Sequence, residues 1–103
     1  MQATRLVRRR AHHAEGLFSE LVIRLLPRAL AGSAHAFKNR LALVRDGVCV
    51  LRYDDEAGKG DHRHVGAQEE PYAFTSMEQL LADFESDVRG YVNEHAHHRQ
   101  PDR

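Results

Sequence analysis

The sequence predicts an α+β domain: a mostly antiparallel sheet of about four or five strands packed against one long C-terminal helix. Three observations carry this. Asp46-Gly47 stands between two apolar, β-favouring runs, FKNRLALVR and VCVLRY, as in a two-residue hairpin turn. A ten-residue aliphatic run, LFSELVIRLL, lies between Gly16 and Pro27 and reads as a strand. Met77, Leu80, Leu81, Phe84, Val88, Tyr91 and Val92 recur at steps of three and four, the spacing of an amphipathic helix.

Taken in order, TRLVRRRAHH and LFSELVIRLL form a first hairpin whose turn contains Gly16. Arg5, Arg8, Arg9 and Arg10 suit an exposed edge strand, where charge also blocks edge-to-edge aggregation, and they equally suit phosphate. PRALAGSAHA reads as a loop. In the next strand Phe37, Asn39, Leu41 and Leu43 share one face, and Lys38, Arg40, Ala42 and Val44 the other. Its hairpin partner ends at Tyr53, and Asp54–Gly60 follows as a polar loop in which Asp54-Asp55-Glu56 makes a turn. DHRHV is a short strand that places His62 and His64 side by side and Arg63 opposite; Gly66–Pro71 is a second loop. Thr75-Ser76-Met77-Glu78 matches a capping box, with Thr75 as the cap. Asp83, Glu85, Asp87 and Glu94 fall largely off the apolar face of the helix, as solvated residues. The domain spans 1–93, and the His-rich run 94–103, which has no large packing residue, is expected to be a flexible tail.

With 103 residues, 42% of them apolar and 29% charged, the chain makes one soluble core. One cysteine, Cys49, excludes an internal disulfide and a cysteine-based zinc site; within an apolar run it reads as a small core residue of a reducing cytoplasm. No apolar stretch is long enough to span a bilayer, and no signal-peptide pattern follows the N-terminal arginines. The expectation is a cytoplasmic protein with no membrane partner. Net charge is zero but polarised. Residues 1–52 hold ten Lys/Arg against three Asp/Glu, and residues 53–103 hold five against twelve. A basic half points to a polyanionic partner, or else the halves pair with each other.

RYDDEAGKGDHRH, residues 52–64, concentrates the chemistry: three Lys/Arg, four carboxylates, two histidines and two glycines. Cleavage of RNA by its own 2′-hydroxyl needs a base, an acid and cations for the phosphorane charge. His62 and His64 are the candidate base and acid, because imidazole titrates near neutrality. Lys59 and Arg52 are candidates for the phosphate, and Asp61 for orienting an imidazole. Arg63, Tyr53, Gly58, Gly60, Lys38 and Arg40 are candidates for binding substrate. The alternative for the same stretch is a divalent metal held by Asp54, Asp55, Glu56, Asp61, His62 and His64, which the neighbouring Lys and Arg oppose. The expectation is no cofactor, with a divalent metal as that alternative. A further alternative is non-catalytic: a nucleic-acid-binding or protein-interaction module.

The segment GSAHAFKNRLALVRDGVCVLRYDDEAGKGDHRHVGAQEEPYAFTSMEQLLADF resembles the TumE family of small prokaryotic toxins from toxin–antitoxin modules. The shared features are an RYDNExGKGDHxH-type signature, with Asp55 where Asn is usual, and an FKYRL run, with Asn39 where Tyr is common. The resemblance covers roughly residues 3–90. It implies a growth-inhibiting toxin, with RNA as substrate and cleavage as the expected activity. It also implies a cognate helix-turn-helix antitoxin, and leaves homo-oligomerisation open.

Overall fold

Alternation of apolar and polar residues along successive strands gives this chain a sheet with one greasy face, and the C-terminal helix covers it. The computed structural model describes residues 6–25, 37–56 and 60–99. The order is β1 (Leu6–Ala14), β2 (Leu17–Leu25), β3 (Phe37–Arg45), β4 (Val48–Glu56), β5 (Gly60–Val65), β6 (Gln68–Pro71) and α1 (Met77–Arg99). Each strand pairs antiparallel with the next, so the six form a meander in sequence order. The expected class is observed, with one or two strands more than expected.

The β3–β4 turn behaves as its dipeptide requires. Asp46 and Gly47 both take positive φ, 49° and 84°, the geometry that matches the strand twist in a two-residue hairpin. It also meets the β1–β2 turn: Asp46 N donates to the Gly16 carbonyl at 2.7 Å, and a Cβ at Gly16 would strike the Asp46 carboxylate.

Leu17, Ile23, Leu41, Leu43, Leu51 and Tyr53 of the sheet close on Leu80, Phe84 and Val88 of α1. Leu41 and Leu43 are fully buried. At roughly 2 kcal/mol for each buried aliphatic side chain, this layer is the main source of stability. Asn39 shares their face and is also buried. Its backbone N–H donates to Asp55 Oδ1 at 2.9 Å, while its own amide finds no hydrogen-bond partner among the described residues.

Four expectations are corrected. Asp54, Asp55 and Glu56 are not a turn: they continue β4, opposite His62, Asp61 and Gly60. Gln68–Pro71 is a strand and not a loop. Cys49 is exposed, because a bulge inserts Val50 between the Leu43↔Leu51 and Val44↔Cys49 pairs and breaks the alternation. The helix cap is Ser76, whose Oγ accepts from Gln79 N at 3.0 Å, and the helix starts one residue later than a Thr75 cap would set it. The helix also runs on to Arg99, past Glu94. There His95 stacks on Tyr91 with centroids 3.9 Å apart and its Nδ1 donates to the Tyr91 carbonyl at 3.0 Å. Residues 26–36, which include the expected loop, and 100–103 lie outside the described residues.

Candidate functional site

Strands β4 and β5 send alternate side chains to opposite faces, and this divides the RYDDEAGKGDHRH cluster in two. Arg52, Asp54, His62 and His64 stand on the open face, away from the helix. Tyr53, Asp55, Asp61 and Arg63 stand on the helix face. Gly58 and Lys59 lie outside the described residues.

On the open face the two imidazoles converge on β6. His62 Nε2 is 3.9 Å and His64 Nε2 is 3.7 Å from the same oxygen, Glu69 Oε2. The two rings differ in what holds them. His62 Nδ1 donates to the carbonyl of Gly60, at 3.2 Å; Gly60 itself has φ 83° and is buried. A carbonyl only accepts, so Nδ1 carries the proton and Nε2 faces Glu69. His64 Nε2 receives a hydrogen bond from Arg52 Nη2 at 3.1 Å. A guanidinium only donates, so His64 Nε2 is the acceptor of this bond. Both rings thus face Glu69, and they differ in their hydrogen bonds: His62 donates to a backbone carbonyl, and His64 accepts from a guanidinium.

Arg52 sits between them and Asp54. Its Nε lies 3.1 Å from Asp54 Oδ2, yet the N–H is not directed at that oxygen and has no hydrogen-bond partner. Asp54 Oδ1 is also 3.8 Å from His64 Nε2. Lys38 and Arg40 reach the same face from β3, both exposed, with Arg40 paired to Asp54 in the register. A pocket of about 220 Å³ opens beside Arg52 and His64, bounded by Cys49, Val50, Leu51 and Gly66.

The helix-face residues are tied to α1. Tyr53 Oη donates to Asp87 Oδ2 at 2.5 Å, and Arg63 Nε donates to the same oxygen at 2.9 Å. Arg63 also reaches Glu70, at 2.6 Å. Burial, and then the bond to Asp87, pushes the Tyr53 hydroxyl far above its ordinary pKa; the bond to Asp87 likewise holds the Arg63 guanidinium in its charged form. Asp61 is half-buried on this face, where its backbone carbonyl accepts from Tyr72 N at 2.9 Å. The structure therefore brings His62, His64 and Arg52 together with Lys38 and Arg40 on one face, and places Tyr53, Arg63 and Asp61 on the other.

The candidate metal ligands divide in the same way, with Asp54, His62 and His64 on one face and Asp55 and Asp61 on the other. Among the described residues no three His, Cys, Asp or Glu side chains converge as a metal would require.

One open-face acid, Glu69, is not foreseen as a site residue, and Asp54 is foreseen only as a metal ligand. The signal for Glu69 was present: a two-residue Gly66-Ala67 link after DHRHV, with Gly66 at φ 59°, is a hairpin turn that folds QEEP back onto the histidines.

The model of one protein family, toxin TumE, matches residues 4–92. The chain belongs to this family. TumE membership implies a toxin function within a toxin–antitoxin system and an antitoxin partner. The match spans all six strands and the helix through Val92, so the open-face histidines and the Asp87 lock both lie inside it. Neither a curated protein nor a solved structure matches the chain. No helix among the described residues is long and apolar enough to cross a membrane.

Proposed function

We propose that this TumE toxin cleaves RNA by metal-independent acid–base chemistry on the open face of β5, and that a cognate helix-turn-helix antitoxin holds it inactive. The observation that carries the proposal is the unlike hydrogen bonding of two adjacent imidazoles: His64 Nε2 accepts from Arg52, whereas His62 donates its Nδ1 proton to the Gly60 carbonyl. A scissile phosphate draws the Arg52 guanidinium from His64, using the N–H that lacks a partner, and frees the His64 lone pair. His64 takes the proton of the 2′-hydroxyl, whose oxygen attacks the adjacent phosphorus. The bond to the 5′-oxygen breaks, and His62 returns a proton to that leaving group. The products are a 2′,3′-cyclic phosphate and a 5′-hydroxyl end. Arg52 offsets the charge that builds on the phosphorane, with Lys59 as the second candidate cation, while Lys38 and Arg40 hold neighbouring phosphates.

Purified protein incubated with RNA in EDTA tests this. Cleavage to cyclic-phosphate ends is expected, with a loss of about a hundredfold or more for His62→Ala or His64→Ala. Growth inhibition in a host should fall in parallel. A soluble double variant as toxic as the parent would sink the histidine mechanism. Activity abolished by chelator and restored by Mn²⁺ would replace it with a metal-dependent one.

A further inference from the structure

The helix covers one face of the sheet, and cations from β1 to β4 collect on the face it leaves open. Strand register places Arg8 opposite Val22, Val22 opposite Arg40, Arg40 opposite Asp54 and Asp54 opposite His62, so a single row of side chains crosses from β1 to the candidate acid. The row beside it runs Leu6, Arg24, Lys38. The row on the other side runs Arg10, Glu20, Ala42, Arg52, His64. Arg10 is paired with Glu20 at 3.3 Å, and Arg52 lies beside Asp54. Arg8, Arg24, Lys38 and Arg40 are exposed, and no ion pair among the described residues uses them. Four strands thus contribute to a cationic surface that ends at the two imidazoles, a span of roughly 19 Å at the usual strand spacing.

We infer that this face is a track for single-stranded RNA, running across the strands from the β1–β2 edge to His62 and His64, with Arg8 and Arg24 binding phosphates well away from the reacting one. The choice of RNA among polyanions rests on the function proposed above. Two observations favour a nucleic-acid strand over an acidic protein segment. The cationic rows are continuous with the imidazole pair. At the far end Phe18, His12 and Arg10 bring planar groups together on the same face. The Arg10 guanidinium lies 4.2 Å over the Phe18 ring, and the His12 ring centroid is 5.8 Å from it. Unpaired bases stack on such groups. The sequence hints at this surface only as a basic half; the meander folds Arg8 and Arg24, distant from the histidines in the chain, onto their face.

Fluorescence anisotropy with a short labelled single-stranded RNA of mixed sequence tests the track. All proteins carry His62→Ala so that the RNA stays whole, and affinity is read over a range of salt concentrations. Arg8→Gln with Arg24→Gln is expected to weaken binding about tenfold and to lower the slope of log K against log salt by about 1.4, the value for two phosphate contacts. The control is Arg9→Gln with Arg89→Gln, which removes the same charge from the helix side, where both residues line the groove between β1 and α1. It is expected to change affinity less than about twofold. Equal losses for the two pairs reduce the effect to net charge and overturn the track, as does unchanged binding by the Arg8/Arg24 pair. Intact RNA affinity with lost antitoxin binding overturns it too, and makes the face a protein-docking surface. The expected pattern, in a parent that leaves RNA uncut, supports the track and overturns the cleavage mechanism. Histidine-dependent cleavage with no Arg8/Arg24 effect does the reverse.

Discussion

Asp87 is the residue on which sheet and helix are joined by polar contacts. One of its oxygens accepts from both Tyr53 and Arg63, two strands of the sheet meeting one turn of α1. Truncation leaves the buried Tyr53 hydroxyl without its acceptor and the Arg63 guanidinium with only Tyr53 Oη and Glu70, which costs more than the Tyr53 bond itself contributes. Asp87→Ala is therefore expected to lower stability by about 2 kcal/mol, and Tyr53→Phe by about 1 kcal/mol, because the Arg63–Asp87 pair survives the second change. Urea unfolding with an unchanged m-value checks both. If Tyr53→Phe instead keeps its stability and loses toxicity, the hydroxyl serves substrate and not the fold. This lock was hidden in the sequence. Helical periodicity reads Asp83 and Asp87 as solvated residues off the apolar face, and that expectation is corrected: Asp87 bonds to Tyr53 and Arg63, and Asp83 to Tyr72. The histidine pair was legible, because alternation along DHRHV needs no tertiary knowledge. The segregation of Tyr53, Asp61 and Arg63 from it follows from the same alternation once Asp54–Glu56 is recognised as strand.

At the scale of elements, what the sequence reveals tracks how much apolar burial each element makes. β2, β3 and β4 carry core residues on one face and show it as alternation. β6, four residues with every one exposed, leaves no hydrophobic signature; it is held on β5 by the backbone ladder and by polar pairs such as Arg63–Glu70. Asp54-Asp55-Glu56 misleads for a related reason: the open face tolerates Asp54 opposite His62, and on the helix face the buried Asp55 accepts from Asn39 N, so a strand can carry composition that elsewhere means a turn. The helix start differs by one residue, and here a pair of substitutions discriminates. Ser76→Ala removes the oxygen that accepts the Gln79 N–H and is expected to cost about 1 kcal/mol, while Thr75→Ala stays within about 0.5 kcal/mol. Thermal or urea denaturation of the two variants decides which residue is the cap; equal costs would contradict the Ser76 assignment.

For the whole molecule, pH acts on the fold through carboxylates and tyrosines that span the same sheet–helix junction. Tyr72 donates to Asp83 at 2.5 Å, and Gln79 donates to the other oxygen at 2.8 Å. These bonds, that from Tyr72 first, hold the Asp83 carboxyl below its usual pKa. A depressed carboxylate contributes stability above its unfolded value, and that contribution is lost as pH falls through the folded one. Burial, and then Asp83, pushes the Tyr72 hydroxyl well above its usual value. A raised acid contributes stability that is complete below the unfolded value, near pH 10, and is lost as pH rises toward the folded one. Both limbs therefore depend on one hydroxyl. Tyr72→Phe is expected to destabilise the protein by about 1 kcal/mol between roughly pH 5 and pH 9, since Asp83 is partly solvated. The gap from the parent should narrow as pH falls below about 4, where the unfolded chain takes up its proton before the folded Asp83 does, and again above about pH 10, where the unfolded parent ionises. Unfolding midpoints of parent and variant across that range measure the gap directly. A gap that stays constant through both extremes would mean that the Tyr72–Asp83 bond does not couple protonation to folding, and that the junction owes its pH response to Tyr53, Arg63 and Asp87 instead.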